Sequence, residues 1–308
     1  MTVPKIAVAP MAGDEIEKAI VAAGGAVSAP EEADGVVWTN PADPDALKEL
    51  LAASTARWVQ LPFAGIESFV AAGVIDPTLT WTCMKGTYGP PCAELALALM
   101  LAGARNLKQH FGAKTWRPGG FGTPERRLEG TTAVILGTGG IGSALAEMLV
   151  PLKVKTIGVN RSGTPLATAV DTVTADRLVE VVADGDFLVV TAALTPSTRK
   201  IVGTAVFDAM PAHSWLVNVA RGGLVDTDAL VDALAGGSIA GAGLDVTDPE
   251  PLPDDHPLWT LPNALITPHV ANTWDMAIPQ LVDQVRRNVA LFAAGEPLEG
   301  VVDPEAGY

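Results

Sequence analysis

The feature that most constrains this chain is a glycine-rich turn between a strand pattern and a helix pattern. The apolar run 131–136 is followed by GTGGIG at residues 137–142, and a helical pattern then continues to residue 152. A second apolar run, 156–159, completes a strand–helix–strand unit. Glycine accounts for 31 of the 308 residues, so the spacing alone is weak evidence, and its value comes from the flanking patterns.

The glycines of this turn are typical of a site that binds a dinucleotide. The first glycine permits the tight turn, the second lets the backbone approach a pyrophosphate, and the third allows close packing of the helix. Backbone amides at the start of that helix are donors for an anionic group. We therefore expect the cofactor to contact Gly137, Gly139, Gly140, Ile141 and Gly142.

The residues after the second strand predict which dinucleotide is bound. In many such folds an acidic residue about 20 positions beyond the turn binds the adenosine ribose and favours NAD. Here the strand is followed by Asn160, Arg161 and Ser162, which supply an amide, a guanidinium and a hydroxyl. A carboxylate would repel a 2′-phosphate, whereas these groups attract it. We expect all three to contact the cofactor, with NADP(H) preferred and NAD(H) as the alternative.

Short β-rich runs alternate with helical patterns along the chain, which predicts an α/β fold with a doubly wound parallel sheet. Before the glycine turn, strand patterns cover 5–9, 35–39 and 58–61, and helix patterns cover 14–23 and 43–53. After it, apolar strand patterns lie at 187–192, 215–219, 239–245 and 264–267.

The length of the chain predicts two domains, because one domain usually holds about 100 to 200 residues. Pro90 and Pro91 suit the start of a helix, and residues 92–109 then have the pattern of one long helix. A last helical pattern covers 278–294. We place the domain boundary beside the long helix.

The charge balance excludes several classes of partner. The formal net charge is −15, which repels phosphate backbones and anionic lipid surfaces, so neither nucleic acid nor a membrane is expected. No secretion leader is visible, and the most apolar run, 93–104, is shorter than the roughly 20 residues that span a bilayer. We expect a cytoplasmic protein.

The cysteines predict neither disulfides nor metal binding. Cys83 and Cys92 are the only two, too few for a disulfide framework and without the paired spacing of zinc sites. We expect two reduced thiols and no metal ion.

Three polar residues, Arg221, Glu250 and His269, each follow an apolar strand pattern within a few residues. The carboxyl ends of parallel strands meet at one edge of a sheet, so we expect these side chains to face one crevice. Reduction of a carbonyl develops negative charge on oxygen, which an imidazolium quenches by proton transfer. A guanidinium holds a planar carboxylate, and a carboxylate stabilises an imidazolium. The set suits reduction of a small 2-oxo acid.

With these motifs the chain resembles the D-isomer-specific 2-hydroxyacid dehydrogenases, a family that includes glycerate, phosphoglycerate and glyoxylate/hydroxypyruvate enzymes. The resemblance spans nearly the whole chain. Besides the glycine turn, it rests on LTPST at 194–198, NVARGGLVD at 218–226, residues 245–252, and Pro268-His269.

The resemblance implies a Rossmann dinucleotide-binding domain inserted into a smaller, flavodoxin-like α/β substrate domain. We therefore expect residues 1–93 and 275–308 to form the substrate domain and residues 94–274 the dinucleotide-binding domain. It also implies a homodimer that pairs through the long helix 92–109.

The resemblance further implies a role for each site residue. His269 is the expected proton donor in reduction, Glu250 its partner, and Arg221 the group that binds the substrate carboxylate. A substrate such as glyoxylate or hydroxypyruvate is expected to contact Arg221, His269 and the turn formed by Phe63, Ala64 and Gly65. Further cofactor contacts are expected from Leu194, Thr195, Thr198, Val219, Ala220 and Asp245.

Two other functions stay open at this point. One is a dinucleotide-sensing corepressor, which would bind the nucleotide without turning over a substrate. The other is an amino-acid dehydrogenase of related architecture, which would depend on ammonia. Loss of absorbance at 340 nm with glyoxylate or hydroxypyruvate distinguishes the dehydrogenase from both.

Overall fold

The computed structural model describes residues 3–116, 118, 120 and 124–303. The chain divides into two compact units, which we call the terminal unit, Met1–Tyr88 with Trp274–Tyr308, and the central unit, Gly89–Thr273. The expected boundary at 93/94 lies inside a helix that begins at Gly89. The boundary between the compact units is therefore five residues earlier, where that helix starts.

The terminal unit is built on a five-stranded parallel sheet in the order β2-β1-β3-β4-β5, the flavodoxin-like order. Its strands are β1 Lys5–Ala9, β2 Ala26–Val27, β3 Gly35–Trp38, β4 Trp58–Gln60 and β5 Thr80–Thr82. Its first three helices are α1 Asp14–Ala22, α2 Pro44–Ala52 and α3 Glu67–Ala71.

A long C-terminal helix, Trp274–Ala294, completes the terminal unit. Ala277, Leu281, Val285 and Val289 recur every four residues and form one fully buried stripe. This stripe packs into the same apolar cluster as Ile16 and Ile20 of α1. The helix is therefore held by its apolar face, as expected for an amphipathic helix.

The central unit contains a seven-stranded sheet with every pair of neighbours parallel, in the order β12-β11-β10-β9-β6-β7-β8. Its strands are β6 Thr132–Leu136, β7 Lys155–Asn160, β8 Asp171–Thr174, β9 Phe187–Val190, β10 Trp215–Asn218, β11 Gly241–Leu244 and β12 Ala264–Ile266. The winding direction reverses between β6 and β9, which makes this position the topological switch point of a Rossmann sheet. The predicted α/β fold class is confirmed.

The central helices are α4 Gly89–Ala104, α5 Leu107–Gly112, α6 Gly140–Leu149, α7 Leu178–Val181, α8 Thr204–Ala209 and α9 Thr227–Gly236, and the C-terminal helix is α10. The single helix predicted over 92–109 is wrong, because α4 ends at Ala104 and α5 starts at Leu107. Asn106 between them has φ 50°, a left-handed conformation that an α-helix cannot continue.

Among the helices of the described ranges, none combines the length and the apolar character needed to span a bilayer. Within the same ranges, no group of three or more His, Cys, Asp or Glu side chains is placed to hold a metal ion.

Candidate active site

The glycine turn lies at the switch point, where β6 ends and α6 begins. Gly137 has φ 101°, and a Cβ there would lie 2.5 Å from the Ala192 nitrogen beyond β9. A Cβ on Gly142 would lie 2.0 Å from the Gly137 carbonyl oxygen. Neither position has room for a side chain, so these two glycines bring strand, turn and helix into direct contact.

Gly139 is different, because nothing lies within 4 Å of where its Cβ would be. This open space is directly before Gly140, where α6 begins. Backbone amides and the positive end of the dipole of α6 therefore border a space without side chains. A pyrophosphate fits this cradle, which agrees with the predicted dinucleotide site.

Asn160 organises the loop that follows β7. Its Nδ2 donates to Thr138 Oγ1 and to the Thr164 carbonyl, both at 2.8 Å. Its Oδ1 accepts from the amides of Gly163 at 2.6 Å and Ser162 at 3.1 Å. Both amide donors are thus used inside the protein, and they tie the loop to the glycine turn.

The exposed groups of that loop are the guanidinium of Arg161 and the hydroxyls of Ser162 and Thr164. The two hydroxyl oxygens lie 2.6 Å apart. The structure therefore presents a cation and two hydroxyls on a loop shaped by Asn160. This set suits an anionic phosphate.

The predicted cofactor residues after β9 form a closed turn. Thr198 Oγ1 accepts from the Thr195 amide at 2.8 Å and donates to the Ala193 carbonyl at 2.7 Å. Leu194 is half-buried, and a Cβ on Gly223 would contact its side chain at 3.2 Å. The side chains thus hold the turn in one shape.

Arg221 follows β10 in a turn that Asn218 stabilises. Asn218 Nδ2 donates to the Arg221 carbonyl at 2.9 Å, and its Oδ1 accepts from the Ala220 amide at 3.0 Å. Val219 and Ala220 are buried. The guanidinium of Arg221 donates to the Ala220 carbonyl at 2.7 Å. Sequence reasoning assigned Asn218 no role, although it opens the motif that carries Arg221.

The turn of Arg221 lies against the loop that carries Glu250. A Cβ on Gly222 would fall 1.9 Å from the carbonyl of Thr247. Glu250 Oε2 accepts from the Thr247 amide at 3.4 Å. A glycine is therefore required at position 222 for the segments after β10 and β11 to pack together. The sequence motif Arg221-Gly222-Gly223 did not predict this contact.

Glu250 and His269, which are 19 residues apart in the chain, form a direct pair. His269 Nδ1 lies 2.6 Å from Glu250 Oε1, and the side chains are 48% and 42% exposed. This contact orients the imidazole through Nδ1 and leaves Nε2 as the ring nitrogen available to a ligand. The structure thus brings together two of the three polar residues and places the turn of the third beside them.

The carboxylate of Asp245 is buried and holds the segment around His269. Its Oδ1 accepts from the Thr267 hydroxyl at 2.6 Å and the Val270 amide at 2.9 Å. Its Oδ2 accepts from the Ala271 amide at 2.9 Å. Asp245 was predicted to contact the cofactor, and that role stays a prediction. What the geometry adds is a positioning role.

His269 has φ 53°, an unusual conformation for a residue with a side chain. Its amide donates to the carbonyls of Asp245 at 2.8 Å and Thr267 at 3.0 Å. Such a conformation persists only where its surroundings enforce it. The backbone and the carboxylate of Asp245 together supply that enforcement.

The thiol of Cys92 lies close enough to Asp245 and Arg221 for their charges to affect its pKa. The pKa of the Cys92 thiol is raised to about 11, chiefly by burial and also by the charge of Asp245, while the charge of Arg221 acts in the opposite direction. Burial also raises the pKa of Cys83. Thiols are nucleophilic as thiolates, so neither cysteine suits that role near neutral pH.

The turn predicted to bind the substrate carboxylate belongs to the terminal unit. The ring of Phe63 packs against Tyr88 and Trp274, with centroids 6.0 Å and 5.9 Å away. The Tyr88 hydroxyl donates to the Pro62 carbonyl at 2.7 Å. The turn is thus held by aromatic packing, and the substrate contacts of Phe63, Ala64 and Gly65 stay a prediction.

Comparison with known proteins assigns the chain to a family. Residues 97–271 match the family described as D-isomer specific 2-hydroxyacid dehydrogenase, NAD binding domain. The chain belongs to this family of NAD(P)-dependent dehydrogenases.

Two relatives illustrate the similarity of this dehydrogenase to known sequences. An uncharacterized protein in the proB 3′ region of Corynebacterium melassecola is 43% identical over 254 residues, covering 82% of this chain and 84% of the relative. The human glyoxylate reductase/hydroxypyruvate reductase is 36% identical over 219 residues, covering 68% of this chain and 63% of the relative.

Solved structures resemble the whole chain of this dehydrogenase. A D-isomer specific 2-hydroxyacid dehydrogenase from Xanthobacter autotrophicus, in complex with NADPH and MES, is 27% identical with TM-score 0.86. An NADPH-dependent glyoxylate/hydroxypyruvate reductase from Sinorhizobium meliloti, in complex with NADP and sulfate, is 26% identical with TM-score 0.83. Each comparison covers 100% of both chains.

Proposed function

We propose that this dehydrogenase reduces a small 2-oxo acid, such as glyoxylate or hydroxypyruvate, and prefers NADP(H) to NAD(H). The observation that carries the proposal is the 2.6 Å contact of His269 Nδ1 with Glu250 Oε1, at the carboxyl edge of the central sheet. The relatives named for glyoxylate and hydroxypyruvate reduction support this class of substrate.

In the proposed reaction, Arg221 binds the substrate carboxylate and polarises the adjacent carbonyl. His269, protonated at Nε2, donates its proton to the carbonyl oxygen as negative charge develops there. Glu250 stabilises the imidazolium before the transfer and keeps the ring oriented afterwards. When bound, the nicotinamide cofactor supplies the hydride.

The cofactor would be held by the glycine turn, with its pyrophosphate at the open space beside Gly139. Arg161 and Ser162, on the loop shaped by Asn160, are the proposed ligands of a 2′-phosphate. A guanidinium attracts this group and no carboxylate stands at that place in the sequence. The two relatives crystallised with NADPH or NADP support the same preference.

Replacing His269 tests the catalytic assignment. His269→Ala should lower kcat by at least about 100-fold, because general acid catalysis contributes roughly 10² to 10⁴. NADPH affinity, measured by fluorescence titration, should stay within about twofold. His213→Ala is the matched control, since His213 is also exposed beside a carboxylate, that of Asp186, at 3.0 Å. Near-normal turnover of His269→Ala would exclude the assignment.

The ratio of kcat/KM for NADPH to that for NADH tests the cofactor preference. We expect the wild-type ratio to exceed one. Arg161→Ala should lower the NADPH value about tenfold and leave the NADH value nearly unchanged, because only NADPH carries the charge that the guanidinium binds. A clear preference of the wild type for NADH would contradict the proposal.

We also propose the homodimer that the family resemblance implies, through α4 and α5. Apolar side chains on these helices are exposed in the single chain, with Leu101 41% and Phe111 80% accessible. Burial of such surface drives association. Light scattering should give twice the chain mass, and a monomer at micromolar concentration would contradict this state.

A further inference from the structure

The loop that carries Glu250 is closed on itself by Thr247. The Thr247 amide donates to Glu250 Oε2 at 3.4 Å, and its hydroxyl donates to the Pro249 carbonyl at 2.8 Å. Glu250 also stands between Pro249 and Pro251, whose rings fix their own φ angles. Residues 247–251 therefore form one stiff segment. The position of the Glu250 carboxylate then depends on what holds this segment against the rest of the central unit.

A hydroxyl from another element holds that segment. Thr227 is the first residue of α9, and its Oγ1 donates to the Asp248 carbonyl at 2.7 Å, across 21 positions of the chain. This carbonyl belongs to the peptide that joins Asp248 to Pro249, the residue directly before Glu250. Thr227 and Asp248 are both half-buried, so the bond is partly shielded from water, which strengthens it.

The start of α9 is itself firmly anchored. The amide of Asp226, directly before Thr227, donates to the Val202 carbonyl at 2.9 Å. Leu224 and Leu230, which lie on either side of this position in the chain, are at most 2% exposed and belong to an apolar core of the central unit. Thr227 therefore binds the loop of Glu250 from a fixed support.

Apolar packing does not hold the loop against α9. A cavity of about 10 Å³, room for about one water molecule, is lined by residues of both segments, among them Thr227, Thr247 and Asp248. A second polar contact joins Arg199 Nη1 to Asp248 Oδ2 at 3.2 Å, but these side chains are 57% and 41% exposed, and exposed ion pairs contribute little. The hydroxyl bond of Thr227 therefore connects α9 to the loop.

We propose that Thr227 is a positioning residue for the reduction. Its hydroxyl holds the loop so that the Glu250 carboxylate stays 2.6 Å from His269 Nδ1. This inference rests on the proposed role of His269 and adds a residue that no sequence motif singled out. A misplacement of about 1 Å in a catalytic arrangement costs about 100-fold in rate, so a bond that limits such movement affects turnover.

Replacing the hydroxyl tests this role. Thr227→Val keeps the branched shape and leaves no space in which a water molecule could replace the lost donor. We expect kcat for glyoxylate with NADPH to fall about tenfold, the effect of losing one good hydrogen bond. The KM for NADPH should stay within about twofold, because the glycine turn is unchanged. Thr227→Ser retains the hydroxyl and should keep kcat within about twofold of the wild type.

Thr260→Val is the matched control. The Thr260 hydroxyl also donates to a carbonyl, that of Pro257 at 2.9 Å, in an exposed turn ten positions beyond Glu250. This variant should keep the kcat of the wild type. The Tm of Thr227→Val and of Thr260→Val should each lie within about 4 °C of the wild type, as expected for one lost hydrogen bond.

A double-mutant cycle with His269→Ala separates a positioning role from a general effect on the structure. If Thr227 acts through Glu250 on the imidazole, Thr227→Val has nothing left to disturb once the imidazole is absent. We therefore expect kcat of the double variant to lie within about twofold of that of His269→Ala. A general effect would lower kcat about tenfold in both backgrounds.

Four results would overturn the inference: kcat of Thr227→Val within about twofold of the wild type, an equal loss in the His269→Ala background, a Thr227→Ser variant as slow as Thr227→Val, or a fall in Tm of more than about 10 °C. The last would assign the hydroxyl to the fold. If His269→Ala is slow while Thr227→Val is normal, only this inference fails. If His269→Ala keeps near-normal turnover, or the wild type does not reduce glyoxylate or hydroxypyruvate, the proposed function fails as well.

Discussion

The replacement Asp245→Asn tests whether a buried carboxylate holds the segment of His269 in place. Asp245 is 1% exposed and accepts three hydrogen bonds, from the Thr267 hydroxyl and the amides of Val270 and Ala271. In an asparagine, one oxygen becomes an NH₂ group. The orientation that keeps the bonds to Thr267 and Val270 turns this NH₂ toward the Ala271 amide, so two donors face each other.

The expected cost follows from these bonds. Losing a charge-assisted hydrogen bond and leaving a buried donor unpaired each cost about 1–3 kcal/mol, so we expect a loss of about 2–6 kcal/mol in the free energy of unfolding. For a unit of this size, about 1 kcal/mol shifts Tm by about 2–4 °C, and the variant should melt about 4–24 °C lower.

The same replacement should lower kcat about 100-fold, because a shift of His269 by about 1 Å costs about that factor. Calorimetry and NADPH-linked kinetics measure the two effects. Asp255→Asn, the same chemical change at an exposed position, is the control and should change neither. If Asp245→Asn melts within about 1 °C of the wild type and retains kcat within about twofold, the positioning role is refuted.

Two further predictions concern the glycine turn and the thiols. Gly142→Ala places a Cβ 2.0 Å from the Gly137 carbonyl and should cost at least about 1–3 kcal/mol in stability and weaken NADPH binding. Gly139 has open space around it, so Gly139→Ala should weaken NADPH binding and leave Tm unchanged. If Gly142→Ala and Gly139→Ala melted at the same temperature, close packing would not be the reason for a glycine at position 142. Cys92, with a pKa of about 11, should react with Ellman's reagent at pH 8 only after unfolding. Because that pKa is raised, the contribution of Cys92 to the free energy of unfolding is complete below about pH 8.5 and declines as pH rises toward 11. Rapid reaction of the folded protein would contradict its burial.

Most regular elements were predictable because their patterns are strong. The strand at β1 was predicted within its observed bounds, Lys5–Ala9, and the strand–helix–strand unit around the glycine turn within a few residues at each end. The edge strands β2 and β8 were not predicted. They are short and partly exposed, so they lack the continuous apolar run of a buried parallel strand.

The break between α4 and α5 was missed for a different reason. Residues 92–109 contain one internal glycine and no proline, so local propensity favours a continuous helix. The left-handed conformation of Asn106 ends α4, and asparagine tolerates that conformation without requiring it.

The sequence by itself determined the fold class and the glycine turn, and it singled out Arg221, Glu250 and His269 as candidate site residues, because these depend on periodicity and on residue types at strand ends. Only the tertiary structure decided how the groups are held: the 2.6 Å contact of Glu250 with His269 and the buried bonds of Asp245. It alone also showed the bond from the Thr227 hydroxyl to the loop of Glu250. Hydrogen bonds between residues about 20 positions apart depend on the packing of whole strands, and no local pattern encodes them.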